Sequence, residues 1–225
     1  MTDRRGLVRA PAAAAALAAA GLYGLLPDTL IVGPRLVVPA LELTLVGAVL
    51  LAHPTRSDRH TRWSRILSLT LIGLIMLINM ASLLLLIDQL LTSSSNAKLL
   101  LLAAGQVWLT NVIVFAAAFW ELDRGGPAQR TRQEREQLSP ADFRFSQDED
   151  ADTAPEVRRG SSQRSGWVPT FLDYLYVSLT NSSAFSPTDT MPLSARAKIL
   201  MGVESTAALI TSILVIAKGV GGLGQ

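Results

Sequence analysis

The side chains best suited to chemistry in this sequence are a few polar residues in or beside long apolar stretches. Ionisable groups in such stretches are costly to leave unpaired in hydrocarbon, so they mark candidate functional positions. The candidates for a polar pathway are Glu42, Gln106, Asp173, Asp189 and Glu204. They would either bind a cation or a proton in a water-filled vestibule, or form a hydrogen-bonded cluster that only holds helices together.

The rise per residue of a helix gives the depth of several of these residues along their predicted segments. With about 1.5 Å per residue, Glu42, Gln106 and Glu204 each lie roughly 8–11 Å from the predicted outer ends of their segments. Asn79 and Asn111 both lie roughly 18 Å deep, near the midplane. Their matching depth predicts a structural hydrogen bond between two helices.

Six apolar stretches must position these residues. Apolar residues make up 49% of the 225-residue chain and charged residues only 17%, and a spanning helix needs about 20 mostly apolar residues. The stretches lie at 10–26, 36–52, 66–87, 99–120, 167–185 and 199–217. They predict an all-α integral membrane protein with six transmembrane helices, four in residues 1–120 and two in residues 167–225. Arginines before the first, alanine-rich stretch are also typical of a cleaved signal peptide, and that alternative stays open.

Helical spacing predicts which faces of the last two segments meet. Residues at i, i+3 or i+4 and i+7 share a face. These stripes are Asp173, Tyr176, Thr180 and Ala184 on the fifth segment, and Glu204, Ala208, Thr211 and Val215 on the sixth. Small and polar stripes suit helix packing and a narrow polar pathway equally well. Asp173 is close to the start of its segment, which favours an anchoring role there.

The distribution of basic residues predicts the orientation. With the N-terminus in the cytoplasm, sixteen of the twenty Lys and Arg residues fall inside and four outside, as the positive-inside rule requires. Both termini and the 121–166 loop are then expected in the cytoplasm, and the loop before the sixth segment is expected outside. Arginine outnumbers lysine 17 to 3, which is common in bacteria, so the expected location is a bacterial inner membrane.

The long polar loop at 121–166 separates the two membrane parts. It holds 18 of the 38 charged residues, ten acids and eight arginines. Such composition predicts a solvated, partly disordered cytoplasmic connector. Phe143 and Phe145 are the exception, and we expect them against the membrane surface. The expected partners of the chain are the lipid bilayer, a second copy of the chain and a cytoplasmic partner of this loop.

Composition also excludes several classes of function. The absence of cysteine excludes disulfides, thiolate metal sites and cysteine nucleophiles, and two histidines do not make a histidine-rich metal centre. The net charge of +2 reflects basic residues beside apolar segments and does not indicate nucleic-acid binding. No catalytic set, metal or cofactor is predicted, so the chain is not expected to be an enzyme.

Two motifs carry a resemblance to known sequences. They are WELDRGGP at residues 120–127 and DYLYVSLTNSSAFSPTDTMP at residues 173–192. With the architecture of most of the chain, they resemble an uncharacterised family of bacterial multi-pass membrane proteins of about this length. The resemblance implies the architecture and no activity.

The second motif is also similar, more distantly, to the pore loop of two-helix potassium channels. The positions that match are Tyr176, Ser178, Thr180, the Asp189-x-x-Pro192 pattern, Ser194 and Arg196. The glycine-containing filter falls on residues 184–188, which hold no glycine and include Pro187. Because stacked backbone carbonyls of the filter select potassium, this departure argues against potassium selectivity. Such a loop would enter and leave the membrane at one face, whereas the charge distribution favours a full fifth span.

The connector before the sixth segment is expected to be a loop, because it carries two prolines in residues 186–192. Ser194 is a natural N-cap for the final helix. Asp189 is expected over the outer end of the last two helices, as a cation-attracting group or as a partner of Arg196. The expected function is a channel-like or transport-related protein that handles a cation or a proton. The alternative is a non-transporting scaffold that acts through the 121–166 loop.

Overall fold

The computed structural model describes residues 58–92, 97–149, 158–183 and 189–222, together with single helical positions at 17, 18, 21, 40 and 44. Apart from those single positions, the predicted helices at 10–26 and 36–52 lie outside the described residues, and so does Glu42.

Helices dominate the described part of the chain. In chain order the elements are α1 (Asp58–Thr92), α2 (Ala97–Leu122), α3 (Pro127–Arg132), β1 (Phe143–Arg144), α4 (Ser162–Ser165), α5 (Phe171–Ser182), β2 (Met191–Pro192) and α6 (Ala195–Gly222). Short 3-10 turns lie at Asp123–Gly125, Arg135–Gln137 and Ser146–Asp148. The two strands pair antiparallel, with Phe143 opposite Pro192 and Arg144 opposite Met191.

Three of the described helices are long and apolar enough to cross a membrane. Their apolar stretches are Arg65–Thr92, Leu100–Gly125 and Ala195–Gly219. They correspond to the third, fourth and sixth segments that the sequence predicts. Their length and composition are consistent with a membrane protein, as expected from the sequence.

The three long helices alternate in direction. Leu90 of α1 packs in one cluster with Leu100 of α2, and Leu71 packs with Ala118, so α1 and α2 are antiparallel. Arg196 at the start of α6 donates to the carbonyl of Leu122 at the end of α2. Helix α6 therefore starts where α2 ends, and it runs away from that point towards Gly222. We call this end of the bundle, which holds Leu122 and Arg196, the loop end.

The segment after α2 is folded onto the loop end. The ring of Phe143 lies 5.1 Å from that of Phe119 and 6.2 Å from that of Tyr174, between centroids. Phe145 is buried in the same cluster. The connector that the sequence predicts to be partly disordered is therefore folded over residues 121–149, and these aromatic rings pack in the core instead of lying against a membrane surface. When buried, these rings supply apolar contacts that the charge-rich composition of the segment does not indicate.

The fifth predicted segment is not a spanning helix. Helix α5 has 12 residues, about 18 Å at the helical rise, whereas a span needs about 20 residues. The prediction of a full span at 167–185 is wrong. The start of α5 is fixed by Thr170, whose backbone N–H donates to Asp173 Oδ2 at 2.6 Å. Its end falls in the polar run at residues 180–183.

Helix α5 enters the bundle at the loop end, and the described chain that follows it, residues 189–194, is back at that end; we call α5 and this return limb the hairpin. Tyr174 near the start of α5 donates to Asp123 just after α2, whereas the carbonyl of Ser182 lies 3.4 Å from Trp108 Nε1, well inside α2. The chain is back at the loop end at β2, which pairs with β1. The connector at 189–194 and the 121–149 segment therefore lie at the same end. The six-span arrangement, which placed them on opposite faces, is wrong in this respect.

Candidate functional site

Glu204 is the most deeply buried acid in the middle of the bundle. Its side chain is fully buried on α6, and it is hydrogen-bonded to three polar side chains of α5. Ser182 donates to Oε1 at 3.0 Å, Ser178 contacts the same oxygen, and Asn181 Nδ2 donates to Oε2 at 2.7 Å. We call these four residues, Ser178, Asn181, Ser182 and Glu204, the Glu204 cluster.

Helical spacing explains why α5 presents three polar groups to one carboxyl. Positions i, i+3 and i+4 lie on one face of a helix, and Ser178, Asn181 and Ser182 have this spacing. The same residues reach neighbouring backbones. Ser178 Oγ lies 2.8 Å from the carbonyl oxygen of Val112, and Asn181 Nδ2 donates to that of Met201 at 2.9 Å. The cluster thus joins α5 to both α2 and α6.

The Glu204 cluster lies deep in the bundle. Glu204 follows Arg196 at the loop end by eight residues, about 12 Å of helix. The hydrocarbon core of a bilayer is about 30 Å thick, so a bilayer whose edge coincides with the loop end would have the cluster close to its middle. The C-terminal end of α5 lies at the same depth, and a helix carries a partial negative charge of about half an electron there. The carboxyl group and the helix end together make the region electronegative.

The predicted pair of asparagines lies next to this cluster. Asn79 Nδ2 of α1 donates to Asn111 Oδ1 of α2 at 3.0 Å, the interhelical hydrogen bond that the sequence predicts. Asn111 precedes Val112, whose carbonyl contacts Ser178. A layer of polar groups therefore crosses the bundle from α1 to α6 at one depth.

Gln106 lies elsewhere on α2. It is half-buried and precedes Val112 by six residues, about 9 Å of helix. The prediction that Gln106 and Glu204 share a depth is therefore wrong. It counted the depth of Glu204 from the wrong end, because α6 begins at the loop end.

Asp173 has the anchoring role that its position indicates. Its Oδ2 accepts the backbone N–H of Thr170 at 2.6 Å and the hydroxyl of Thr170 at 2.8 Å. The predicted inward stripe of this helix is wrong, because Tyr176 is half exposed. The inward face is one position away and holds Phe171, Tyr174, Val177, Ser178 and Ser182. The stripe predicted on the sixth segment, which is helix α6, is buried at Glu204, Ala208 and Thr211.

The return limb of the hairpin is fixed by Asp142. Arg196 donates to both carboxylate oxygens of Asp142, through Nε at 2.7 Å and through Nη2 at 2.5 Å. Arg196 therefore pairs with Asp142 instead of the expected Asp189, which is exposed. Ser194 accepts the backbone N–H of Ala197 at 3.1 Å, as an N-cap does, and it also donates to Asp142 Oδ1 at 2.5 Å.

A second buried acid, Asp123, organises the start of the hairpin. It is fully buried and accepts the backbone N–H of Asp142 at 2.7 Å and of Phe143 at 3.3 Å. Its other oxygen accepts the hydroxyl of Tyr174 at 2.5 Å. We call the loop-end group the charged cluster, which consists of Asp123, Arg124, Arg130, Asp142, Asp148, Tyr174 and Arg196. Sequence reasoning missed these contacts, although the WELDRGGP motif marks their position.

The glycines of that motif turn the chain over the end of α2. Arg124, Gly125 and Gly126 have φ angles of 49°, 79° and 93°, a region that favours glycine. A Cβ on Gly125 would meet Gln129 Oε1 at 1.6 Å, so no larger residue fits without rearrangement. The turn brings Arg130 back to donate to the carbonyl of Trp120 at 2.7 Å.

The charges of this cluster compensate one another at close range. Arg124 contacts Asp148 and lies 3.4 Å from Asp123. Burial lowers the pKa of Arg130 from its ordinary value, while Tyr174, Asp123 and Glu121 act in the opposite direction. The cluster can thus hold the base of the hairpin, because its carboxylates bind arginines, backbone N–H groups and the Tyr174 hydroxyl within the same fold.

The described ranges hold no group of three histidine or acidic side chains that could bind a metal ion. The Glu204 cluster is instead an isolated acid among neutral hydrogen-bond donors. No family model, curated protein or solved structure matches the chain.

Proposed function

We propose that this chain is a channel-like or transport-related membrane protein that handles a cation or a proton at the Glu204 cluster. The observation that carries the proposal is a half-length helix, α5, whose C-terminal end lies beside a buried acid at mid-depth. Discontinuous helices that end near the midplane hold the coupling ions of many transporters. The negative end of a helix and a carboxyl group both favour a positive charge.

The hairpin suits this role because it interrupts the bundle without crossing it. Irregular backbone at membrane depth is tolerated only where it is buried in protein or lines a cavity. The contacts of Tyr174, Ser182 and β2 favour a segment that enters and leaves the membrane at one face over a fifth helix that crosses it. A re-entrant segment of this kind is also what the distant resemblance to a channel pore loop implies.

The orientation that we propose places the loop end in the cytoplasm of a bacterium. Arginines are concentrated at the start of α1 and in the 121–166 loop, and the positive-inside rule assigns such segments to the cytoplasm. Arg196 and Lys198 join that side, because α6 begins at the loop end. The hairpin then opens to the cytoplasm, and the C-terminal end of α6 lies outside.

The alternative of a non-transporting scaffold has less support. It needs a cytoplasmic segment with charges available to a partner. In the described part of that segment several charges are engaged internally, as in the ion pairs Arg124–Asp148 and Arg144–Glu149.

Ion flux into proteoliposomes tests the proposal. The purified chain is reconstituted, and uptake of protons and of alkali cations is followed under an imposed gradient, for the wild type, Glu204→Gln and the matched control Glu121→Gln. Glu121 is also a buried glutamate, but it lies at the loop end. We expect uptake by the wild type and by the control, and loss of uptake in Glu204→Gln. Equal uptake by all three forms, or none above protein-free liposomes, would contradict the proposal.

A further inference from the structure

The contacts between oxygen atoms around Glu204 outnumber the protons that the neighbouring hydroxyls supply. Three oxygen–oxygen contacts meet here: Ser178 with the Val112 carbonyl at 2.8 Å, Ser178 with Glu204 Oε1, and Ser182 with Glu204 Oε1 at 3.0 Å. A full, unshared hydrogen bond in each contact requires one proton between its two oxygens. A serine hydroxyl has one proton, so Ser178 and Ser182 supply two, and the third contact needs a proton from the carboxyl group.

We infer that Glu204 is a proton-binding site, protonated at Oε1, so that the ion handled at the Glu204 cluster is H⁺ and not a metal cation. This inference rests on the proposed function and names its substrate class. In the protonated form Glu204 donates to Ser178, Ser178 donates to the carbonyl of Val112, and Ser182 and Asn181 donate to the two carboxyl oxygens. Both oxygens of Glu204, both serine hydroxyls and the Asn181 Nδ2 then each have a partner.

The charges around the site agree with a neutral carboxyl group. Within the described ranges no lysine, arginine or histidine forms an ion pair with Glu204. The side chains that face it from α5 are neutral, and α2 contributes the backbone carbonyl of Val112. A buried carboxylate without a cation is unfavourable, and such groups take up a proton instead.

Two ionisable groups of α5 are bound at the loop end. Tyr174 precedes Ser178 by four residues, about 6 Å of helix, and its hydroxyl is bound to Asp123. Asp173 is bound to Thr170 at the start of the helix.

The ionisable groups of the other surrounding helices are distant along their axes. Lys198 precedes Glu204 by six residues on α6, and Glu121 follows Val112 by nine residues on α2. Asp88 follows Asn79 by nine residues on α1, about 14 Å of helix. None of them is placed to exchange a proton with Glu204 directly.

A metal cation would need a different arrangement. It would bind an ionised carboxylate and oxygen lone pairs that point at one centre, whereas Asn181 directs its Nδ2 hydrogens at Glu204 Oε2 and at the Met201 carbonyl. Proton uptake needs only the carboxylate, which takes one H⁺ to become a carboxylic acid. Release returns the same proton and leaves the carboxylate.

Infrared difference spectroscopy of the reconstituted protein tests the inference directly. The spectrum of Glu204→Gln is subtracted from that of the wild type at neutral pH, and Glu121→Gln serves as the matched control for a buried acid at the loop end. We expect the difference to show the C=O stretching band of a carboxylic acid that Glu204→Gln lacks. Loss of carboxylate stretching bands instead would overturn the inference, because Glu204 would then be ionised.

Flux on the same samples separates this inference from the proposed function. Two results together support both the proton-binding site and the proposed function. They are the acid band in the wild type and proton uptake that falls to the rate of protein-free liposomes in Glu204→Gln. The acid band without flux of any ion overturns the proposed function, and the proton-binding site stands. Carboxylate bands together with uptake of sodium or potassium overturn the proton-binding site, and the proposed function stands.

Discussion

Two buried polar regions of this molecule treat their acids in opposite ways. At the loop end, Asp123 lies beside Arg124, and Asp142 is held by Arg196, so each carboxylate has a cation within reach. In the middle of the bundle, Glu204 is just as buried but receives only neutral donors. Helix α5 starts in the first region and ends in the second, and α6 likewise carries Arg196 in the first and Glu204 in the second.

This contrast distinguishes the charged cluster, which holds the structure together, from the Glu204 cluster, which is available for function. Paired and hydrogen-bonded charges are costly to break, because removal of one partner leaves the other buried alone. An acid without a cation has no such partner to lose, and buried acids of this kind in apolar helices are retained for ion or proton handling.

The largest loss of stability is expected for Asp123→Ala. The change leaves the Tyr174 hydroxyl and two backbone N–H groups without their acceptor and removes the partner of Arg124. We expect the free energy of unfolding to fall by about 3–5 kcal/mol, measured by denaturant titration in detergent. Asp123→Asn keeps one acceptor oxygen and should lose about 1–3 kcal/mol. An Asp123→Ala form as stable as the wild type would show that the charged cluster does not hold the hairpin.

A smaller loss is expected for Arg196→Ala. Asp142 is 3% exposed and Arg196 51%, so the change leaves a buried carboxylate with the Ser194 hydroxyl and without its cation. We expect a loss of about 1–3 kcal/mol in the same titration. The matched control is Arg144→Ala, whose partner Glu149 is half exposed, and such surface pairs contribute about 0–1 kcal/mol. Equal losses in the two variants would remove the distinction between buried and surface pairs here.

Tyr174→Phe removes a single hydrogen bond to Asp123 while the aromatic ring stays in place. Hydrogen bonds to a charged acceptor contribute about 1.5–3 kcal/mol, and Asp123 keeps its two backbone donors, so we expect a loss at the lower end. The melting temperature in detergent is the measurement. An unchanged melting temperature would mean that the hydrogen bond from Tyr174 to Asp123 does not anchor α5.

The smallest effect on stability is expected for Glu204→Gln. The amide is neutral, has nearly the same shape and can still donate to Ser178 and accept from Asn181. We expect the free energy of unfolding to change by less than about 1 kcal/mol, although ion uptake is lost. A loss as large as that of Asp123→Ala would contradict the contrast between the two regions and would make Glu204 a structural residue.

The sequence predicts the long helices well and the hairpin poorly, for one physical reason. Continuous apolar runs predict α1, α2 and α6, because about 20 consecutive apolar residues are enough to indicate a helix that spans a bilayer. The 167–185 segment also has apolar residues, but several of them pack against Phe143 and Trp120, which are distant in the sequence. Apolar content therefore overstated the length of α5.

The site was predicted in part. Glu204 and the pair Asn79–Asn111 stand out because polar residues are rare in apolar helices. The charge count reversed the direction of α6, so the sequence matched Glu204 with Gln106 by depth, whereas the observed partners of Glu204 come from α5. The pairing of Asp142 with Arg196 spans 54 residues, and no local pattern reports a contact at that separation.

The most direct test of the account is the side on which the return limb of the hairpin lies. The chain has no cysteine, so Gln137→Cys, Leu193→Cys and Thr92→Cys each carry one thiol at an exposed position. They are labelled in intact cells with a maleimide that does not cross membranes. The account predicts that the thiols at 137 and 193 are both protected until the cells are permeabilised, whereas the thiol at 92 is labelled at once. Labelling of position 193 together with position 92, while 137 stays protected, would show that the fifth segment crosses the membrane and would contradict the hairpin.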